Sequence, residues 1–166
     1  MKKITLLIVA FAFSLSVSAQ TIVDTAVSNK DFSTLVTALK AADLVGALSS
    51  EGPFTVFAPN NAAFAKIDGE VLGSLLKPEN VKALSNILTY HVLSGKLLAG
   101  DVAKALKSGY GKAELTALNG QKFTATSKDG KIYLKDSNGT MSQIIATDVV
   151  GTNGVIHVID TVIMPE

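Results

Sequence analysis

The sequence predicts an α+β domain in which a mainly antiparallel sheet packs against helices contributed by the N-terminal half. Three observations carry that expectation. Apolar residues recur at mostly helical spacing from Thr21 to Leu106, and mostly at extended spacing from Ala113 onward. The C-terminal third also holds four turn pairs, Asn119-Gly120, Asp129-Gly130, Asn138-Gly139 and Asn153-Gly154. Each joins a residue tolerant of positive φ to a glycine, the chemistry of a two-residue type I′ hairpin, so strands should alternate with tight turns.

The chain opens on an address. Met1-Lys2-Lys3 is positive, Ile4 to Val17 is a stretch of 14 uncharged residues, and Val17-Ser18-Ala19 sets small residues before a cut, so residues 1–19 read as a secretory signal peptide. As a helix that stretch would reach only about 21 Å at about 1.5 Å per residue, short of the roughly 30 Å hydrocarbon core. No cysteine follows the cut to take a lipid, and Ile163-Met164-Pro165-Glu166 adds no second apolar span. Cleavage after Ala19 would leave residues 20–166, a single domain with thirteen lysines against fourteen acids. No Pro/Gly/Ser-rich linker divides it, and no repeat of solenoid or propeller length occurs in it.

In chain order, Phe32, Leu35, Val36 and Leu39 follow the i, i+3, i+4, i+7 pattern of a helix with one buried stripe, with Asn29 or Asp31 as N-cap. Phe54-Thr55-Val56-Phe57 is short, β-branched and aromatic, hence a strand, which Pro59 stops. Asn60 or Asn61 can cap a short helix through Ile67. Pro78 opens a second long helix with Val81, Leu84, Ile87 and Leu88 as its apolar face, and a third spans Ala99 to Leu106. Phe123 to Ser127 and Lys131 to Lys135 flank Asp129-Gly130; Gln143 to Val150 and Val155 to Ile159 flank Asn153-Gly154. The last strand is apolar on both faces and should lie inside the fold.

Composition removes several chemistries. The chain has 48% hydrophobic and 17% charged residues and a net charge of +1, and every cation is a lysine. Without a basic field or a guanidinium fork, nucleic acid is a poor partner. Without cysteine there are no disulfides, thiolate nucleophiles, zinc ribbons or iron–sulfur ligands.

Three segments resemble one known family. Gly52-Pro53-Phe54-Thr55-Val56-Phe57-Ala58-Pro59-Asn60-Asn61-Ala62-Ala63-Phe64 is similar to the first signature of the fasciclin domain. Leu88-Thr89-Tyr90-His91-Val92-Leu93-Ser94-Gly95-Lys96 resembles its central Tyr-His segment, and Gly151-Thr152-Asn153-Gly154-Val155-Ile156-His157-Val158-Ile159-Asp160 its last signature. The three stand in order and at the family's spacing, over essentially all of Thr21 to Pro165. One departure is that Asn60-Asn61-Ala62-Ala63 lacks the usual capping box. The resemblance implies a wedge-shaped β-sandwich with helices around it, and a role in extracellular adhesion without catalysis. It further implies partner-binding positions at Tyr90, His91 and Asp148, the last within Thr147-Asp148-Val149-Val150.

Read for chemistry, the same residues are sparse. His91 and His157 stand far apart with no ligand-spaced His, Asp or Glu beside either, so no metal site is expected, and a mid-strand His157 should instead satisfy its ring inside the sheet. Ser94 lies three positions from His91, but no Gly-x-Ser-x-Gly elbow exists, and Ser94-Gly95-Lys96 lacks both the earlier glycine and the following Ser/Thr of a phosphate loop. Asn138-Gly139-Thr140 is formally a glycosylation acceptor whose turn chemistry accounts for it. The lysines between Lys104 and Lys135 read as a solvated face, and with no tryptophan, Tyr110 and Tyr133 are the rings left for stacking on a sugar. The sequence therefore points to a secreted or periplasmic, non-enzymatic interaction module without catalytic, cofactor or metal residues. Its expected partner is an extracellular protein or polysaccharide. The alternative is a soluble carrier of an apolar ligand such as a carotenoid or lipid, held between helices and sheet.

Overall fold

In the computed structural model, which describes residues 20–166, every described helix precedes Gly109, while five of the seven strands follow it. The leader expected over residues 1–19 lies outside the described residues. The helices are α1 (Ile22–Ser28), α2 (Ser33–Ala41), α3 (Val45–Ser49), α4 (Asn61–Phe64), α5 (Gly69–Leu75), α6 (Val81–Tyr90) and α7 (Ala99–Ser108). The strands are β1 (Phe54–Pro59), β2 (Val92–Ser94), β3 (Lys112–Thr116), β4 (Lys122–Lys128), β5 (Lys131–Lys135), β6 (Met141–Gly151) and β7 (Gly154–Ile159).

Local chemistry sets the helix starts. At α1, the Thr21 hydroxyl accepts from the Asp24 amide at 3.2 Å and the Asp24 carboxylate accepts from the Thr21 amide at 2.9 Å, a reciprocal capping box. The Thr21 hydrogen bonds hold the Asp24 carboxyl below its ordinary pKa. Asn29 begins a 3₁₀ turn over Lys30–Phe32 that runs into α2, and another 3₁₀ turn, Pro78–Asn80, stands where Pro78 alone was expected to open α6. The neighbouring asparagines divide their work: Asn60 accepts from Ala63 N at 2.8 Å to cap α4, while Asn61 reaches across to accept from Thr34 N at 3.0 Å in the first turn of α2.

The strands form one seven-stranded ladder in the order β2-β1-β7-β6-β5-β4-β3. Only β1 and β7 pair in parallel; the remaining pairings are antiparallel. The expected sandwich is thus a fold with helices and a single, barrel-like ladder. β6 joins its two halves, pairing with β5 through Met141–Gln143 and with β7 from Ile144 onward. Two register shifts between Ile144 and Val149 bend β6 there. Beyond β3, Leu118 N donates to Val92 O at 2.7 Å, so the chain leaving one edge touches the other.

Two apolar cores result. The first lies between α1, α2, α6 and one face of β1 and β7, and includes Phe32, Leu35, Leu84 and Ile156. The second fills the interior of the curled ladder with Phe57, Tyr90, Phe123, Leu134 and Ile159, and takes Val102 and Leu106 from α7. Phe57 meets Phe123 edge-to-face at 5.6 Å, while Phe54, on the opposite side of β1, packs against the first core. β7 is buried at five of its six positions, as its two apolar faces predict.

The turn expectation holds in full at one of the four pairs. Asp129 and Gly130 both have positive φ, 53° and 74°, the type I′ geometry. At Asn119-Gly120 and Asn138-Gly139 only the glycine is left-handed. Gly154 is required for a different reason from the turn: a Cβ there would stand 2.3 Å from the Phe54 carbonyl oxygen, so glycine is what lets β7 lie against β1.

Candidate functional site

Tyr90 and His91 sit at the end of α6, where the helix delivers its last turn into the second core. Tyr90 is wholly buried; its ring meets Phe123 edge-on at 5.4 Å and its hydroxyl donates to Lys122 O at 3.0 Å. Burial pushes the Tyr90 phenol above its ordinary pKa. The His91 ring is equally enclosed, with Nδ1 2.8 Å from Ile87 O and Nε2 accepting from Ile163 N at 3.2 Å. A carbonyl can only accept and an amide N–H can only donate, so the ring is neutral with its proton on Nδ1. Desolvation lowers its pKa from 6.5 to about 4, against the opposing effects of the Ile87 carbonyl and Asp136.

His157, mid-strand in β7, repeats the pattern with the nitrogens exchanged. Its Nε2 donates to Leu97 O at 2.7 Å and its Nδ1 accepts from Asp148 N at 3.4 Å, while the ring stacks on Phe57 at 5.5 Å. Asp148 occupies the β6 bulge at φ 58° with its side chain in solvent, where Oδ1 accepts from Ala99 N at 2.9 Å, at the start of α7. Of the three expected partner positions, then, Asp148 is the one at the surface. Tyr90 and His91 are closed in, and Asp148 is brought to His157 and α7 rather than to them. Exposed Leu98, Ile145 and Val150 belong to the same α7 start and β6 bulge.

The remaining signature residues also serve the backbone. Thr55 donates to Gly95 O at 2.6 Å and accepts from Leu97 N at 2.8 Å. Asn153, read from sequence as half of a turn, donates to Leu48 O and Ser50 O, both at 2.8 Å, and accepts from Ile22 N at 3.0 Å, so one amide ties α1 and α3 to the β6–β7 turn. Its role left no trace in local spacing, because all three partners come from distant segments. At the end of the last signature, burial disfavours the charge of Asp160, but the Gln143 amide, the Thr161 hydroxyl and Lys66 outweigh it and hold the carboxyl below its ordinary pKa.

Chemical centres are correspondingly scarce. His91 has no free nitrogen with which to take a proton from Ser94. Among the described residues, no group of three or more His, Cys, Asp or Glu is placed to hold a metal, and no helix is long and apolar enough to cross a membrane. The apolar cavity between α1, α2 and the β1–β7 face measures about 20 Å³, room for a single water by volume.

Fold and site together define an α+β domain in which Tyr90 and both histidines are spent on closing the core. Residues 30–165 match the family model of the fasciclin domain, and the chain belongs to the fasciclin family. Among curated relatives, Protein sll1483 of Synechocystis is 51% identical over 148 residues, covering 89% of this chain and 75% of that one. Transforming growth factor-beta-induced protein ig-h3 of Sus scrofa is 34% identical over 87% of this chain, which spans only 19% of that longer protein. A solved FAS1 domain pair from the insect cell adhesion molecule Fasciclin I superposes with a TM-score of 0.76 at 20% identity, covering 87% of this chain and 51% of that one. That likeness establishes the FAS1 fold.

Proposed function

We propose that residues 1–19 are a leader removed on export, and that residues 20–166 act in the periplasm or outside the cell as a non-enzymatic interaction module holding a cell surface or matrix. In this reading the curled ladder works as a rigid, wedge-shaped sandwich, and contact with a protein partner is made through Asp148 with Leu98, Ile145 and Val150 around it. The observation that carries the reading is that Tyr90, His91 and His157 commit their polar atoms to partners within the fold, which leaves the outer surface as the working part. The adhesion role of the insect molecule with the same fold supports it by analogy.

The carrier alternative is weaker on geometry. The apolar cavity under α1 and α2 holds about 20 Å³, far below the roughly 300 Å³ at which small-molecule pockets begin. The groove of about 340 Å³ between α7 and the β4–β5 hairpin is open to solvent with Lys107 and Ser127 in its lining, so a carotenoid or lipid would lie exposed there or require α1 and α2 to lift from the sheet. Incubating the purified protein with whole cells and extracted matrix tests both readings. Retention that falls when Ile145, Asp148 and Val150 are replaced together by serine supports the module. Protein that comes off purification coloured or lipid-loaded, or that turns over a small molecule, sinks it.

A further inference from the structure

The register of β3, β4 and β5 assembles a surface that the sequence shows only as scattered lysines. Leu115, Phe123, Ala125 and Leu134 point into the second core, so the alternate positions on the same strands face outward. That outer face carries five lysines, Lys112, Lys122, Lys128, Lys131 and Lys135, against one acid, Glu114. The rest of residues 20–166 holds eight lysines against thirteen acids. A nearly neutral chain has therefore sorted its charge, with a positive sheet face on an otherwise negative body. Glu114 answers only Lys122, at 3.0 Å. Lys128 and Lys131 are paired directly across the β4–β5 ladder, a like-charge juxtaposition that disfavours the hairpin unless an anion meets it.

The centre of the face is built of hydrogen-bonding groups and a ring. One cross-strand row reads Lys112, Thr126, Tyr133 and Gln143, and the next reads Glu114, Thr124, Lys135 and Met141. Lys131 and Lys135 lie about 6.8 Å to either side of Tyr133 along β5. Thr126 Oγ1, beside Tyr133 in the first row, is the one buried side-chain oxygen or nitrogen without a hydrogen-bond partner among the described residues.

We propose that this face docks an anionic polysaccharide, its carboxylates or sulfates meeting Lys112, Lys128, Lys131 and Lys135 while a sugar ring lies on Tyr133. The proposal rests on the interaction-module reading and names the chemistry of a partner for it. Other polyanions fit less well. Arginine is absent from the chain, which removes the fork that suits nucleic-acid phosphates and base edges, and within the two cross-strand rows Met141 is the one large exposed aliphatic side chain, too little to enter a bilayer.

Titration of the immobilised protein with alginate, heparin, neutral dextran and phosphatidylglycerol vesicles, at low and high salt, tests it. Alginate or heparin binds and dextran does not, and binding weakens as salt rises because the lysines release counterions. Binding to alginate alone assigns carboxylate as the recognised group, and to heparin alone, sulfate. Replacing Lys112, Lys128, Lys131 and Lys135 by glutamine lowers affinity at least about tenfold and flattens the salt dependence. Tyr133→Ser lowers affinity with the salt dependence intact, while the same glutamine replacement at Lys40, Lys77, Lys82 and Lys96 changes neither. Circular dichroism melting confirms that each variant is folded. Absence of binding to both polyanions by the folded native protein, equal loss in the control variant, or binding to vesicles alone overturns the proposal. If cells retain the folded native protein but neither polyanion binds it, the module reading survives and this face falls. If alginate binds but cells and matrix do not retain the native protein, adhesion falls and the face survives.

Discussion

At the residue scale, His91 couples the core to pH. Its folded pKa of about 4 lies below the ordinary 6.5, so the unfolded chain takes up a proton between those values that the folded chain refuses. The stabilisation is complete above pH 6.5, declines as pH falls, and is lost by about pH 4. At about 1.4 kcal/mol per unit, the range corresponds to about 3 kcal/mol. Urea unfolding followed from pH 7 to pH 4 should show the native protein losing stability on that order, and His91→Gln, though less stable at pH 7, should lose less over the same interval. A second residue prediction concerns Asn153. Asn153→Ala strands Ile22 N and two carbonyls, and should cost about 3 kcal/mol in chemical denaturation, at about 1 kcal/mol per lost hydrogen bond. His157 was read correctly as a ring satisfied inside the sheet, since a lone imidazole between apolar strand neighbours must find partners. Asn153 was legible only as a turn residue. The segments it joins are close neighbours only after folding.

At the element scale, α1 passed without notice in the sequence although Thr21-x-x-Asp24 is a capping signature, because only a short apolar run follows it. Thr21→Ala should destabilise by about 1 kcal/mol, and hydrogen exchange should locate the loss in α1 before any other helix. The type I′ hairpin was legible at Asp129-Gly130, where local chemistry decides the geometry. At Gly154 the same dipeptide signal meant something else, since contact between β1 and β7 forbids a Cβ there. Gly154→Ala should therefore be far more damaging than a turn substitution, with loss of cooperative thermal unfolding as the outcome to look for. The outward period-two pattern of Lys112, Glu114 and Thr116 was available to sequence reading, yet only the register of three strands turns it into a surface.

At the scale of the whole molecule, the parallel β1–β7 pairing joins segments separated by most of the domain, and β7 sits third from the β2 edge although it comes last in the chain. Closing such non-local contacts before they are rewarded slows folding. Stopped-flow refolding should fall in the millisecond-to-second range of β-rich topologies rather than the microsecond range of helical bundles. The α+β class, the helical first half and the antiparallel hairpins were determined by sequence alone, because helix periodicity, strand alternation and turn chemistry act over a few residues and survive in the linear text; the family was legible separately, in the resemblance of three signature segments. Tertiary structure decided which motif residues are reachable, burying Tyr90 and His91 while leaving Asp148 outside. It also decided that dispersed lysines share one face, because burial and register are set by what the chain meets when strands far apart in sequence come to lie side by side.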